Sequence, residues 1–204
     1  MTISSSVREL SRLSNPTATV VADTAASSFL RGARGNSGVI LSLLFRGISK
    51  GLKGQTEVGG KVFAEALSLG VTAAYKAVMK PTEGTILTVA RVAAETAKKV
   101  TSDDFIETFE AALNGAKEAL AQTPEMLPVL KKAGVVDAGG RGLLIIMNGF
   151  LKIVSGDESE LKLQADSDRI QLHPAGRSDF WRVRPEREDP DGRPAGPSCQ
   201  LRRI

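Results

Sequence analysis

The sequence predicts an all-α protein, an antiparallel bundle or closed barrel of amphipathic helices, on three observations. Apolar residues recur at three- and four-residue spacing through most of the first 156 positions, whereas no segment alternates apolar with polar residues as a half-buried strand would. Aromatic residues make up only 4% of a chain that is 42% hydrophobic, so Ala, Val and Leu fill the apolar positions. Side chains that small let helices pack closely side by side. The apolar stretches are also separated by turns containing Gly or Pro, which suits helices joined by short connections.

Taken in order, Asn15-Pro16 reads as a helix start with Pro at the first helical position, and that helix runs to about Leu30. Gly35-Asn36 opens a second helix, from about Ser37 to Ile48, with Asn36 as its cap. Gly51, Gly54 and Gly59-Gly60 mark the following loop. From Lys61, residues Val62, Ala66, Leu69, Ala73 and Ala77 form an apolar stripe that Pro81 ends. A helix from Thr82 carries Ile86, Val89, Ala93 and Ala97 on one face. Thr101 and Asp104 resemble a capping box before the stripe Phe105, Phe109, Ala112, Ala116 and Leu120. Pro124 and Pro128 flank a short turn, and a last helix runs from about Gly139 to Val154.

Composition changes near residue 163. Up to Leu163 there are twelve Lys and seven Arg; from Gln164 onward there are eight Arg, seven acidic residues and no Lys. Five of the nine prolines and the only Trp, His and Cys (Trp181, His173, Cys199) also fall in this last stretch. The expectation is a domain over residues 1–156 and a linker with a disordered Pro- and Arg-rich tail over 157–204, with a frameshifted or foreign C-terminus as one origin of the change.

These features also limit the function classes. A lone cysteine rules out an internal disulfide and fits a reducing compartment, the cytoplasm. The longest apolar run, Leu143 to Met147, is far below the roughly 20 residues of a membrane helix. The net charge of +4 is spread along the chain without interleaved aromatics, so no nucleic-acid partner is expected.

Three glycine-rich turns, each opening a helix, carry the chemistry. In Gly32-Ala33-Arg34-Gly35-Asn36-Ser37-Gly38, the glycines let backbone approach an anion, Ser37 offers a hydroxyl and Arg34 a charge. The same residues also fit a tight helix–helix turn with a capping Asn. In Lys80-Pro81-Thr82-Glu83-Gly84-Thr85, the threonines can cap the helix or touch a ligand. In Val136-Asp137-Ala138-Gly139-Gly140-Arg141-Gly142, Asp137 can be an N-cap or accept a hydrogen bond from a ligand. If the three turns lie on one rim, they form one anion pocket.

The ordered motifs ARGNSGVILS (33–42), PTEGTIL (81–87) and VDAGG (136–140) resemble the DhaL family, the nucleotide-binding domain of dihydroxyacetone kinases, and in their wording its fatty acid kinase branch. The resemblance covers about residues 1–156. It implies a barrel of about eight helices with ADP or ATP at one rim and two magnesium ions on the phosphates. Carried over, Gly35, Asn36 and Ser37, with Gly38 beside them, hold the phosphates; Thr85 lines the pocket, and Asp137 with Gly139 closes it.

The family's metal-binding Asp-Gly-Asp-Thr-Gly motif precedes an Asn-Met pair with which Met1 coincides, so its aspartates would lie upstream of this chain. Asp23, a solvent-facing carboxylate within a helix, does not replace them, and Leu43 stands where the family pattern has a glutamine. The expectation is a domain truncated at both ends, with no metal ligands of its own and impaired transfer. The resemblance implies phosphoryl transfer from ATP to a fatty acid presented by a DegV-type partner. The alternatives are an ADP-binding subunit of dihydroxyacetone (glycerone) kinase and a non-catalytic nucleotide-binding regulatory or scaffold domain.

Overall fold

The computed structural model describes residues 2–156, so the expectations for 157–204, including His173, Trp181 and Cys199, lie outside the described residues, as does Met1. Eight helices make up the described part: α1 (Thr2–Leu10), α2 (Ala18–Gly32), α3 (Gly35–Gly51), α4 (Gly60–Ala77), α5 (Ile86–Ala97), α6 (Phe105–Met126), α7 (Pro128–Ala133) and α8 (Ala138–Val154). Each of α1 to α6 packs on the next, α8 packs on α5 and α6, and short connections make successive neighbours antiparallel. The all-α bundle expected from the sequence is the fold observed.

The alternation has a direct consequence for function. It puts the N-termini of α3, α5 and α8 at one end of the bundle and those of α2, α4 and α6 at the other.

Packing follows the small side chains. The expected faces of α5 and α6 are the ones buried: Ile86, Val89, Ala93 and Ala97, and Phe109, Ala112, Ala116 and Leu120. In α4 the expected stripe is only partly the buried one: Ala66 is buried, but most of the buried line runs through Ala64, Leu67, Val71 and Ala74, and Leu69 is 48% exposed. This helix is apolar on most of its circumference, so several stripes fit its sequence and the neighbours decide which is covered. Gly47 of α3 and Gly70 of α4 meet where these helices cross, with Leu69 O only 2.6 Å from where a Cβ on Gly47 would stand.

Several boundaries differ from the sequence reading. Helix α1 was not anticipated, since it is a short polar segment; its buried Ser6 hydroxyl donates to Ala25 O at 3.3 Å. Asn15 takes a left-handed φ of 48° rather than starting a helix, and Thr17 caps α2 two residues later. Helix α5 begins at Ile86 behind a Thr85 cap, not at Thr82. Asp104, not Thr101, caps α6, accepting from Glu107 N at 2.7 Å. Pro124 lies in the last turn of α6 instead of ending it. A proline there has no N–H for Leu120 O, and the Thr123 hydroxyl donates to that carbonyl instead, at 2.8 Å.

At the α2/α4/α6 end, an apolar cavity of about 510 Å³ opens among Phe45, Phe63, Phe105, Phe109, Met147 and Phe150. No helix among the described residues is long and apolar enough to cross a membrane.

Candidate functional site

The three glycine-rich turns meet at the other end. A Cβ built on Gly139 would stand 3.3 Å from Ser37 Oγ, 3.3 Å from Ile86 Cβ and 3.1 Å from Asp137 Oδ2. One small residue at the start of α8 thus touches the first turns of α3 and α5 at once. Any larger side chain would fill the space between them.

The three helix starts are not equivalent. Asp137 caps α8: its Oδ2 accepts from Gly140 N at 2.7 Å, and its own N–H donates to the buried Thr123 hydroxyl at 3.1 Å. Thr85 caps α5: its Oγ1 accepts from Leu87 N at 3.3 Å and donates to Thr82 O at 2.8 Å. The start of α3 has no such cap. Arg34 holds the cap position with extended backbone but makes no capping bond; its guanidinium donates to Ala33 O. Asn36, expected to cap, instead lies inside the first turn, and neither its side chain nor that of Ser37 hydrogen-bonds within the described residues.

Among the described helices of more than ten residues, α3 alone lacks a side-chain acceptor for its first N–H groups. Thr17 serves α2, Asp104 serves α6, and α4 borrows Asp103, whose Oδ1 accepts from Lys61 N at 2.8 Å. Uncapped N–H groups and the helix dipole attract an anion. Gly35, Asn36 and Ser37 are exposed there, and Gly38 behind them is buried. Gly35 has φ +68°, a left-handed conformation that glycine adopts without strain.

The turn before α5 also holds a carboxylate cluster that the sequence signals do not mark. Glu83 Oε1 accepts from Tyr75 OH at 2.9 Å, while Oε2 accepts from Thr88 Oγ1 at 2.7 Å and Arg91 Nη2 at 3.0 Å. Arg91 also pairs with Glu95 at 2.9 Å. Burial alone would raise the Glu83 carboxyl, but bonds from Thr88, Arg91 and Tyr75 together with the Arg91 charge hold it below the usual range. Burial, opposed by the bond from Arg91, raises Tyr75. Bonds to Glu95, Glu83 and Tyr75 raise the Arg91 guanidinium. Only the i, i+8 spacing of Glu83 and Arg91 hinted at this cluster.

The carboxylate at the meeting point, Asp137, is held by a backbone bond from Gly140 N. No group of three or more His, Cys, Asp or Glu side chains among the described residues could hold a metal ion. Asp23 is exposed but belongs to the opposite half of the bundle, where it accepts a hydrogen bond from Ser49 near the end of α3.

A DAK2 domain profile matches residues 1–152. The chain belongs to the DAK2 domain family. Domains of this family are all-helical, nucleotide-binding and of kinase type. Uncharacterized proteins of Staphylococcus aureus strains USA300, NCTC 8325 / PS 47 and N315 are each 50% identical to it over 150 residues, which is 72% of this chain and 27% of theirs. The chain therefore spans about a quarter of the length of these relatives.

Proposed function

We propose that this DAK2 domain binds ATP or ADP with its phosphates at the uncapped start of α3, on Gly35, Asn36, Ser37 and Gly38. Thr85 lines the pocket, and Asp137 and Gly139 close it. The observation that carries the reading is the meeting of all three glycine-rich turns at Gly139, beside the one long helix among the described residues whose first N–H groups have no side-chain acceptor. A phosphate there would take up those N–H groups and the Ser37 hydroxyl, while Arg34 supplies charge from the cap position.

The wording of the 33–42, 81–87 and 136–140 motifs favours the fatty acid kinase branch over a dihydroxyacetone kinase subunit. In that reading the acceptor is a fatty acid carboxylate, held by a DegV-type partner in the cytoplasm. The sparse carboxylates at the rim favour a second reading, in which these residues bind nucleotide without turning it over. Phosphoryl transfer needs cations on the transferring group, and Asp137 alone is too few ligands to hold them.

Calorimetric titration of ADP and ATP, with and without magnesium, tests both readings. Micromolar binding that ignores magnesium is expected. Binding that requires magnesium would contradict the second reading, and no binding under either condition would overturn the phosphate site itself.

A further inference from the structure

The Lys80–Thr85 turn carries the start of α5 to Gly139 and is held from both sides. On its inner side Gly84, at φ +80°, packs so closely that a Cβ would come within 2.9 Å of both Leu127 Cγ and Met126 Cβ. On its outer side the Glu83 carboxylate gathers hydroxyls from Tyr75 of α4 and Thr88 of α5 and the guanidinium of Arg91. The Thr88 hydroxyl, while donating to Glu83, accepts from Gly84 N at 2.8 Å. Backbone and side chain of the same turn are therefore tied to one atom of α5.

The Glu83 side chain is 49% exposed and that of Arg91 36%. An ion pair so open to water adds little to global stability. Three partners on one carboxylate do, however, restrict where the turn can lie, and with it Thr85 and Ile86 at the meeting point of the three turns.

We propose that Glu83 is a positioning residue, which from outside the pocket sets the placement of the α5 start that the nucleotide meets. The inference rests on the nucleotide reading and deepens it. Small displacements of a binding group cost affinity out of proportion to their effect on folding.

The test compares Glu83→Gln with Glu95→Gln by ADP calorimetry, alongside thermal melting and hydrogen exchange over residues 82–88. Glu83→Gln keeps the shape of the side chain and removes its charge. Glu95→Gln removes the other carboxylate on Arg91 without touching the turn. Glu83→Gln is expected to weaken ADP about tenfold and speed exchange over 82–88, with little change in melting temperature, while Glu95→Gln binds as the parent does. ADP affinity unchanged in Glu83→Gln would overturn the inference alone. Equal losses in both variants would overturn it too, by showing general loosening of the Arg91 cluster. A parent protein that does not bind ADP would overturn the nucleotide reading, and this inference with it.

Discussion

Helices α3 and α8 begin beside each other, yet their first turns are finished differently. Asp137 closes the start of α8 with its own carboxylate; the start of α3 carries an arginine where a cap would be and leaves Asn36 and Ser37 exposed. An ordinary bundle gains from capping every long helix, by about 1 kcal/mol for each cap. A long helix left without a side-chain cap, placed where three glycine-rich turns touch, has the character of a binding surface more than of a folding element. The difference teaches which side chains at the rim are structural and which are available. By this comparison Asp137 and Thr85 are first of all caps, whatever else they touch, and the Gly35-Asn36-Ser37 segment is what remains open to a ligand.

The largest effect expected from this contrast is on stability. Asp137→Ala removes the acceptor of Gly140 N and a negative charge at a helix start, and should lower unfolding free energy by about 1–2 kcal/mol. Asn36→Ala, one residue into α3, should change it by less than about 0.5 kcal/mol. Urea denaturation of both variants checks the pair. If Asn36→Ala costs as much as Asp137→Ala, α3 is capped in solution after all and the contrast disappears.

How much of this was legible depends on the range of the interaction. The stripes of α5 and α6 were readable because each helix has one apolar face and polar residues opposite it. Helix α1 was not, because Thr, Ser and Arg dominate its sequence and little in it is buried besides Ser6. The stripe of α4 was only partly placed because, outside the polar line of Lys61, Glu65, Ser68, Thr72 and Lys76, that helix is apolar over a wide arc in which several stripes fit. The glycine-rich turns could be singled out by local rules, since helix starts and turns have residue signatures. Their meeting at Gly139 could not, because it joins residues about fifty positions apart and again fifty further on. The cap of α3 differs for a related reason: Asn is a good cap by type, but the helix starts two residues earlier, at Gly35 behind Arg34, which puts Asn36 inside the first turn. The Glu83 cluster draws on α4, the turn and α5 together, and which of these nearby polar residues meet depends on how the turn folds α5 back on α4.

An intermediate effect should come from making α3 resemble α8. Arg34 already has the extended backbone of a cap residue, φ −136° and ψ 124°. Arg34→Asp supplies a carboxylate to the open N–H groups and should stabilise the fold by roughly 0.5–1 kcal/mol. The same carboxylate would occupy the donors that a phosphate needs and repel it, so ADP affinity should fall by about tenfold or more, some 1.4 kcal/mol. Melting and calorimetry on one sample give both numbers. A stabilised variant that binds ADP as well as the parent would mean the phosphates sit elsewhere on the rim.

The smallest effect concerns the turn before α5, which is held by side chains where the α3 start is not. Hydrogen bonds from Thr88, Arg91 and Tyr75 outweigh burial and keep the Glu83 carboxyl below its ordinary value of 4.5. A depressed carboxylate contributes stability that is fully present above its unfolded value and is lost as pH falls through the folded one. The stability difference between the parent protein and Glu83→Gln should therefore be constant from neutral pH down to about 5 and shrink at more acidic pH. Because the group is half exposed, the whole difference should be no more than about 0.5 kcal/mol. Chemical denaturation of both proteins at a series of pH values measures it. A difference that stays constant below pH 4.5, or grows, would mean that the carboxylate charge does not hold the turn, and would leave Gly84 and its packing on Met126 and Leu127 as what fixes the start of α5.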